Sequence, residues 1–239
     1  MEDMLRGRTG SGEDKIQYAE LRLKSISGEY HWFGCHYKAI ASDGGTVVKV
    51  VGKLADISRQ RSREQELREQ AMRDVLTGIY NKAGEKLIDG MVKEKGQGLF
   101  LMLDLNDFKS INDTMGHAAG DAILTEMGRV LKGTCRENDI VARIGGDEFV
   151  MFLPGAFDWQ TGKRKIGEIQ ESLRTVMISA WGIRGIRASI GAALCPEDGL
   201  DYETLFKAAD EAMYLDKEQS KNRNESREAG EEKQDRTIS

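Results

Sequence analysis

RIGGDEFVMFLPG, residues 143–155, decides how this chain is read. Before its glycine pair, DIVARIG (139–145) carries β-branched and apolar residues; after it, EFVMFLPG (148–155) is an apolar run too short for a helix of ordinary length. Gly145-Gly146 between two such runs marks a tight turn, so the stretch predicts a β-hairpin. Its tip carries two adjacent carboxylates, Asp147 and Glu148. Glycines beside them let a substrate approach the backbone closely. Taken alone, two glycines followed by two acids more often describe a solvated turn than a site.

Outward from the hairpin, GLFLMLDL (98–105) reads as a buried strand that ends on Asp104. If this strand neighbours the hairpin, three carboxylates converge at one sheet edge. Hard oxygen ligands of that kind suit Mg²⁺, which prefers one or two carboxylates together with substrate phosphate oxygens. Asp104 alone could equally be a strand-end cap. Helices are expected over 82–95, over 120–135 with a stripe of Leu124, Met127 and Leu131, and over 158–178. A strand follows at 185–194, and a last helix at 201–218 places Leu205, Ala208, Ala209, Ala212 and Met213 on one face. The order predicts an α/β (α+β) layer, helices on a central mixed sheet.

Toward the N-terminus, 18–25, 30–40 and 46–57 read as strands, separated by the turn signals Ser27-Gly28 and Asp43-Gly44-Gly45. An antiparallel meander of three strands is a poor independent core. The composition then turns to SRQRSREQELREQAM (58–72), where Glu64/Arg68 and Glu69/Arg73 stand at i,i+4 in the favourable order. Leu67, Ala71 and Val75 would line one side. This is a solvated connecting helix or a dimerising stalk, although sustained apolar heptads are lacking.

The whole chain has 239 residues, with 35 Lys+Arg against 40 Asp+Glu, a net charge of -5. Mild acidity argues against a nucleic-acid partner, since binders of a polyphosphate backbone carry a basic excess. Three cysteines far apart predict neither disulfide framework nor zinc site. The N-terminal residues lack the apolar core of a signal peptide, and no apolar run approaches the ~20 residues of a membrane span. A cytoplasmic chain is expected.

Six stretches in order then resemble one family. RIGGDEFVMFLPG (143–155) is similar to the signature of GGDEF domains, the diguanylate cyclases. DVLTGIYNK (74–82), DLNDFKSIND (104–113), GHAAGD (116–121), RENDIVARIGGDEF (136–149) and AADEAMYLDKEQSKN (208–222) match in register. The resemblance covers about residues 72–222 and implies a fold like nucleotide cyclases and palm-type polymerases. It implies condensation of two GTP into cyclic di-GMP and two pyrophosphates, with Mg²⁺ (or Mn²⁺) held by Asp104, Asp147, Glu148 and the carbonyl of Leu105. Asp147 would be the proton acceptor, with Glu148 completing the metal site. Asn112 and Asp121 would read guanine, with His117 beside the nucleotide or, alternatively, a partly buried structural histidine. Phe108, Lys109, Lys217 and Lys221 would hold the phosphates. Arg136 and Asp139, with five residues between Asp139 and Gly145, match an RxxD inhibitory site for the cyclic product. Asn106 and Ser220 depart from frequent Asp and Gly, without touching the metal ligands.

The meander resembles the C-terminal half of a PAS sensor. The expected organisation is therefore partial PAS strands at 1–57, a linker helix at 58–73, the GGDEF domain at 74–222 and a disordered charged tail at 223–239. The chain reads as a fragment of a longer sensor or a truncated frame, with no sensory ligand expected. Because the product is two-fold symmetric, a homodimer is implied for activity. The rival is a silent GGDEF module that binds cyclic di-GMP or GTP; silent members usually spoil the turn, which is intact here. A polymerase palm is disfavoured by the acidic composition and the lack of further domains.

Overall fold

The computed structural model describes residues 16–42, 46–155, 158–215 and 217. The turn signal at Asp43-Gly44-Gly45, the tail at 223–239 and Lys221 lie outside the described residues. The chain divides into two compact units, Met1–Gln70 and Ala71–Ser239.

In the first unit, β1 (Gln17–Lys24), β2 (Tyr30–Ala41) and β3 (Val47–Asp56) form an antiparallel meander in that order. Helix α1 (Ser58–Ala71) follows. Its start is fixed by Ser58, whose hydroxyl accepts from the Trp32 amide at 2.9 Å, and by Arg61, whose guanidinium lies 4.0 Å over the Trp32 ring. The helix buries none of its residues. Glu64 and Arg68 pair at 2.6 Å as their spacing predicts. The expected seam is shorter than the sequence suggests: the helix ends at Ala71, and Val75 lies beyond it, fully exposed. Arg73 leaves Glu69 and instead stacks 3.9 Å over Tyr80.

The second unit is built on a four-stranded sheet in the order β5-β6-β4-β9, where β4 is Gly98–Leu105, β5 Ile140–Gly145, β6 Glu148–Pro154 and β9 Ala188–Cys195. All three ladders are antiparallel, so the sheet is not the mixed one expected; an isolated parallel bridge joins Tyr80 to Ala142 outside the ladders. Strand β4 is central and buried at every residue but Asp104, which is half-buried. That is why it reads as a continuous apolar run and not an alternating one.

Its two faces are nonetheless distinct. Leu99, Leu101, Leu103 and Leu105 enter one core with Ile123, Leu124, Met127 and Leu131 of α4 (His117–Thr134) and Ile169 and Leu173 of α5 (Trp159–Arg174). Phe100 and Met102 enter the other, with Ile88 and Val92 of α2 (Gly84–Lys95) and Leu205, Ala209 and Met213 of α6 (202–215). Each fully buried side chain of this size stabilises the fold by ~1.5–3 kcal/mol. Between the β4 end and α4 lies α3 (Phe108–Met115), and a short hairpin of β7 (Met177–Ile178) and β8 (Ile183–Arg184) precedes β9. The helix expected over 120–135 is α4, which starts three residues earlier, whereas the one expected over 158–178 divides into α5 and β7.

Candidate active site

Asp104 stands on the Phe100/Met102 face, because strand residues two apart share a face. Across the ladder its register partner is Glu148, on the same face as Val150 and Phe152. Asp147 sits beside them in the turn, and its carbonyl accepts from the Leu105 amide at 3.4 Å. The three carboxylates expected at one sheet edge are therefore brought together. Burial, then the charges of Asp104, Asp147 and Asp210, hold the Glu148 carboxyl above its usual range; Lys217 works against them. Asp210, on α6, is a fourth acid of this neighbourhood that the sequence reading did not assign.

Lys217 continues the stripe Leu205, Ala209, Met213 by one further turn of four residues. Its ammonium donates to Asp104 Oδ1 at 2.7 Å. The structure thus pairs Lys217 with a carboxylate, where the resemblance implies a phosphate.

Among the described residues, no group of three or more His, Cys, Asp and Glu has its ligand atoms gathered as for a bound metal. The donor set nevertheless suits a hard divalent cation. It consists of carboxylate oxygens and a strand-end carbonyl, the chemistry such an ion prefers.

The glycines of the turn act differently from the sequence expectation. Strand β5 ends at Gly145 and β6 begins at Glu148, so Gly146 and Asp147 form the turn. Neither Gly145 nor Gly146 has positive φ. A side chain on Gly146 would meet nothing within 4 Å, which leaves the approach to Asp147 open.

Helices α3 and α4 bring the next residues together. Gly116, at φ 83°, joins them. Gly120, buried in the first turns of α4, lies against α3 so closely that a Cβ there would overlap Asn112 Oδ1 and come within 3.2 Å of the Phe108 ring. Asn112 thereby lies against the residue that precedes Asp121. Asp121 and His117 are exposed, so the reading of His117 as a buried structural histidine is not supported. Phe108 is half-buried against the core, and Lys109 is exposed at the start of α3.

An unassigned ion pair ties the turn to the segment before α2. Arg143 donates to Asp74 Oδ1 at 3.2 Å and to the Gly146 carbonyl at 2.9 Å. Asp74 also accepts from the amide and hydroxyl of Thr77 at 2.9 and 2.7 Å. Burial alone would raise the Asp74 carboxyl, but the Thr77 bonds and Arg143 hold it below its usual range. The Asp-x-x-Thr spacing in DVLTG is the signal that could have found this turn.

Arg136 and Asp139 lie at the other end of β5 from the turn. Asp139 Oδ2 accepts from the Arg136 amide at 2.8 Å, so the carboxylate braces the loop. Both line a cavity of about 280 Å³ with Arg164 and Lys165 of α5, two cations absent from the sequence reading.

Known proteins resemble this chain in sequence and in fold. Residues 71–223 match the family described as diguanylate cyclase, GGDEF domain. A probable diguanylate cyclase of Escherichia coli, DgcC, is 30% identical over 178 residues, covering 72% of this chain and 46% of the relative. The chain therefore spans about half the length of that relative. The GGDEF domain of Pseudomonas aeruginosa TpbB (YfiN) superposes with a TM-score of 0.58 at 34% identity, over 62% of this chain and 89% of that one. The coiled coil and GGDEF domain of Caulobacter crescentus DgcB, solved with c-di-GMP, gives 0.60 at 26% identity, over 68% of this chain and 88% of that one.

Proposed function

The chain belongs to the GGDEF-domain family of diguanylate cyclases, and from that premise we propose that it joins two GTP into cyclic di-GMP with release of two pyrophosphates. The observation that carries the reading is the in-register pairing of Asp104 with Glu148 on one face, with Asp147 in the adjoining turn. Asp104, Asp147, Glu148 and the Leu105 carbonyl would hold Mg²⁺ or Mn²⁺. That ion supplies charge neutralisation of the triphosphate and a lowered pKa for the attacking 3′-hydroxyl.

The chain's own residues do the rest. Asp147 would accept the 3′-hydroxyl proton, with open space beside the neighbouring Gly146. Asn112 and Asp121 read guanine: a carboxylate accepts from N1–H and the exocyclic amine, a donor pair adenine lacks. His117, exposed at the start of α4, would border the same base site. The first amides of α3, with Phe108 and Lys109, suit an anion at a helix N-terminus. Lys217, bonded to Asp104, and Lys221, four residues on, would reach the same phosphates.

Two copies must face each other for each 3′-hydroxyl to reach the other α-phosphate, so the active species is a two-fold dimer. The stalk is weak: α1 buries nothing, and Leu67 is its single large apolar residue. Product would bind at Arg136 and Asp139 and inhibit from the far end of β5. The meander resembles strands of a PAS sensor and would feed the 58–73 linker, and GTP as substrate would put the reaction in the cytoplasm.

The test is purified chain with GTP and MgCl₂, product read by chromatography, across a hundredfold range of protein concentration. Cyclic di-GMP formed with specific activity rising with concentration is expected. Absence of product at every concentration would instead favour the silent module.

A further inference from the structure

A second cavity, of about 460 Å³, opens on the face of the sheet that carries α3, α4 and α5. It is walled by the β4–α3 segment, the end of α5 and the β8–β9 segment. Leu105 and Phe108 line it as well as bordering the site described above, but none of Asp104, Asp147, Glu148, Asn112, Asp121 or Lys217 does. Its floor is apolar, from Phe108, Ile111 and Ile183. Its rim gathers three guanidinium groups, Arg174, Arg184 and Arg187, against the single carboxylate of Asp107.

Arg174 is bonded to Glu171 of its own helix at 2.8 Å. Arg184 and Arg187 have no carboxylate partner among the described residues. Like charges gathered round one concavity raise its positive potential, which favours an anion there. Asp107 is the one non-glycine residue with positive φ among the described residues, at 60°. Such backbone persists where its surroundings over-determine it, and it clusters at binding sites.

We propose that this cavity binds a small organic phosphate: a phosphate dianion forked by Arg184 and Arg187, with its planar or apolar body on the Phe108/Ile183 floor. Guanidinium groups match phosphate bidentately. The volume, in the range of small-molecule sites, exceeds what a bare phosphate fills. Asn106, also in the lining, ties the site to the sheet: its amide bonds the Arg187 carbonyl at 2.9 Å, and its Oδ1 accepts from Ser189 at 2.8 Å. A ligand here therefore touches the segment that leads from Asp104 into α3.

Calorimetric titration of the full chain with phenyl phosphate and with inorganic phosphate tests this. Phenyl phosphate should saturate at least tenfold more tightly than phosphate, and equally well with the GTP site filled by a non-hydrolysable GTP analogue. Arg184→Ala/Arg187→Ala should weaken phenyl phosphate at least tenfold and leave analogue affinity within twofold. Should that double variant misfold by circular dichroism, Arg184→Gln alone should cost at least threefold. No saturable binding, equal affinity for the two phosphates, displacement by the analogue, or indifference to the arginine changes would each overturn the proposal.

Discussion

In the Gly120→Ala variant the new methyl group would overlap Asn112 Oδ1, 3.0 Å from Asn112 Cγ and 3.2 Å from the Phe108 ring. Ordinary carbon contacts sit near 3.5–4.0 Å, so the carboxamide has to retreat by about 1 Å. Because the obstructing atom is the end of a flexible side chain, the fold can absorb the change. Overpacking costs ~1–3 kcal/mol, and replacing glycine by alanine within a helix returns ~1 kcal/mol. The net loss of about 0–2 kcal/mol lowers the melting temperature by at most a few degrees per kcal/mol. Base reading has no such slack. Losing one well-placed hydrogen bond at a half-buried reader costs ~1–3 kcal/mol, on the order of 10- to 100-fold in GTP affinity. Calorimetry with a non-hydrolysable GTP analogue and a thermal melt on the same sample measure both. Parental affinity in a well-folded Gly120→Ala protein would refute the placement of the base beside Asn112.

Asp104→Asn and Asp147→Asn should each reduce cyclic di-GMP formation at least ~100-fold, since removing a metal ligand withdraws several kcal/mol of transition-state stabilisation; circular dichroism should be unchanged. Asp74→Asn should destabilise the chain by ~1–3 kcal/mol at pH 7 in urea titrations, as Arg143 loses its partner. The Asp74 carboxyl is depressed in the folded state, so its contribution is complete above the unfolded value near 4 and fades as pH falls through the lower folded value. The gap between parent and Asn variant should then be constant from pH 7 to about 5 and close below 4; an equal gap at pH 3 would count against the pair. Arg136→Ala should relieve inhibition by added cyclic di-GMP and raise the final yield, checked by progress curves with and without product.

The hairpin, the central strand and the meander were legible because each rests on local pattern: a glycine pair between apolar runs, or eight consecutive residues almost all apolar. The carboxylate cluster was legible for the same reason, since Asp104 and Glu148 end the two strands that the pattern identified. What escaped was set by tertiary contact. Arg143 meets Asp74 across 69 positions, a separation at which sequence pattern is silent. Val75 has helical spacing from Ala71, yet Asn81 pulls the chain away from the helix by bonding the Ala71 and Arg73 carbonyls. The β7–β8 hairpin is too short to carry periodicity, and it closes the arginine-rimmed cavity.

The chemistry at the sheet edge is aimed by the same periodicities that fill the core. Phe100 and Met102 are followed two residues on by Asp104, and Phe152 and Val150 are preceded by Glu148, so one face of paired strands turns from apolar to acidic at the same rung. On α6 the step is four, and Leu205, Ala209 and Met213 lead to Lys217, which meets Asp104 at 2.7 Å. Core packing therefore fixes the direction of three functional side chains that contribute little to it. A one-residue slip of β6 against β4 would turn Phe149 toward α6 and Glu148 toward the core packed by α4. Leaving that carboxylate unpaired in an apolar layer costs several kcal/mol. The register that assembles the carboxylates is for that reason also the register the hydrophobic core enforces.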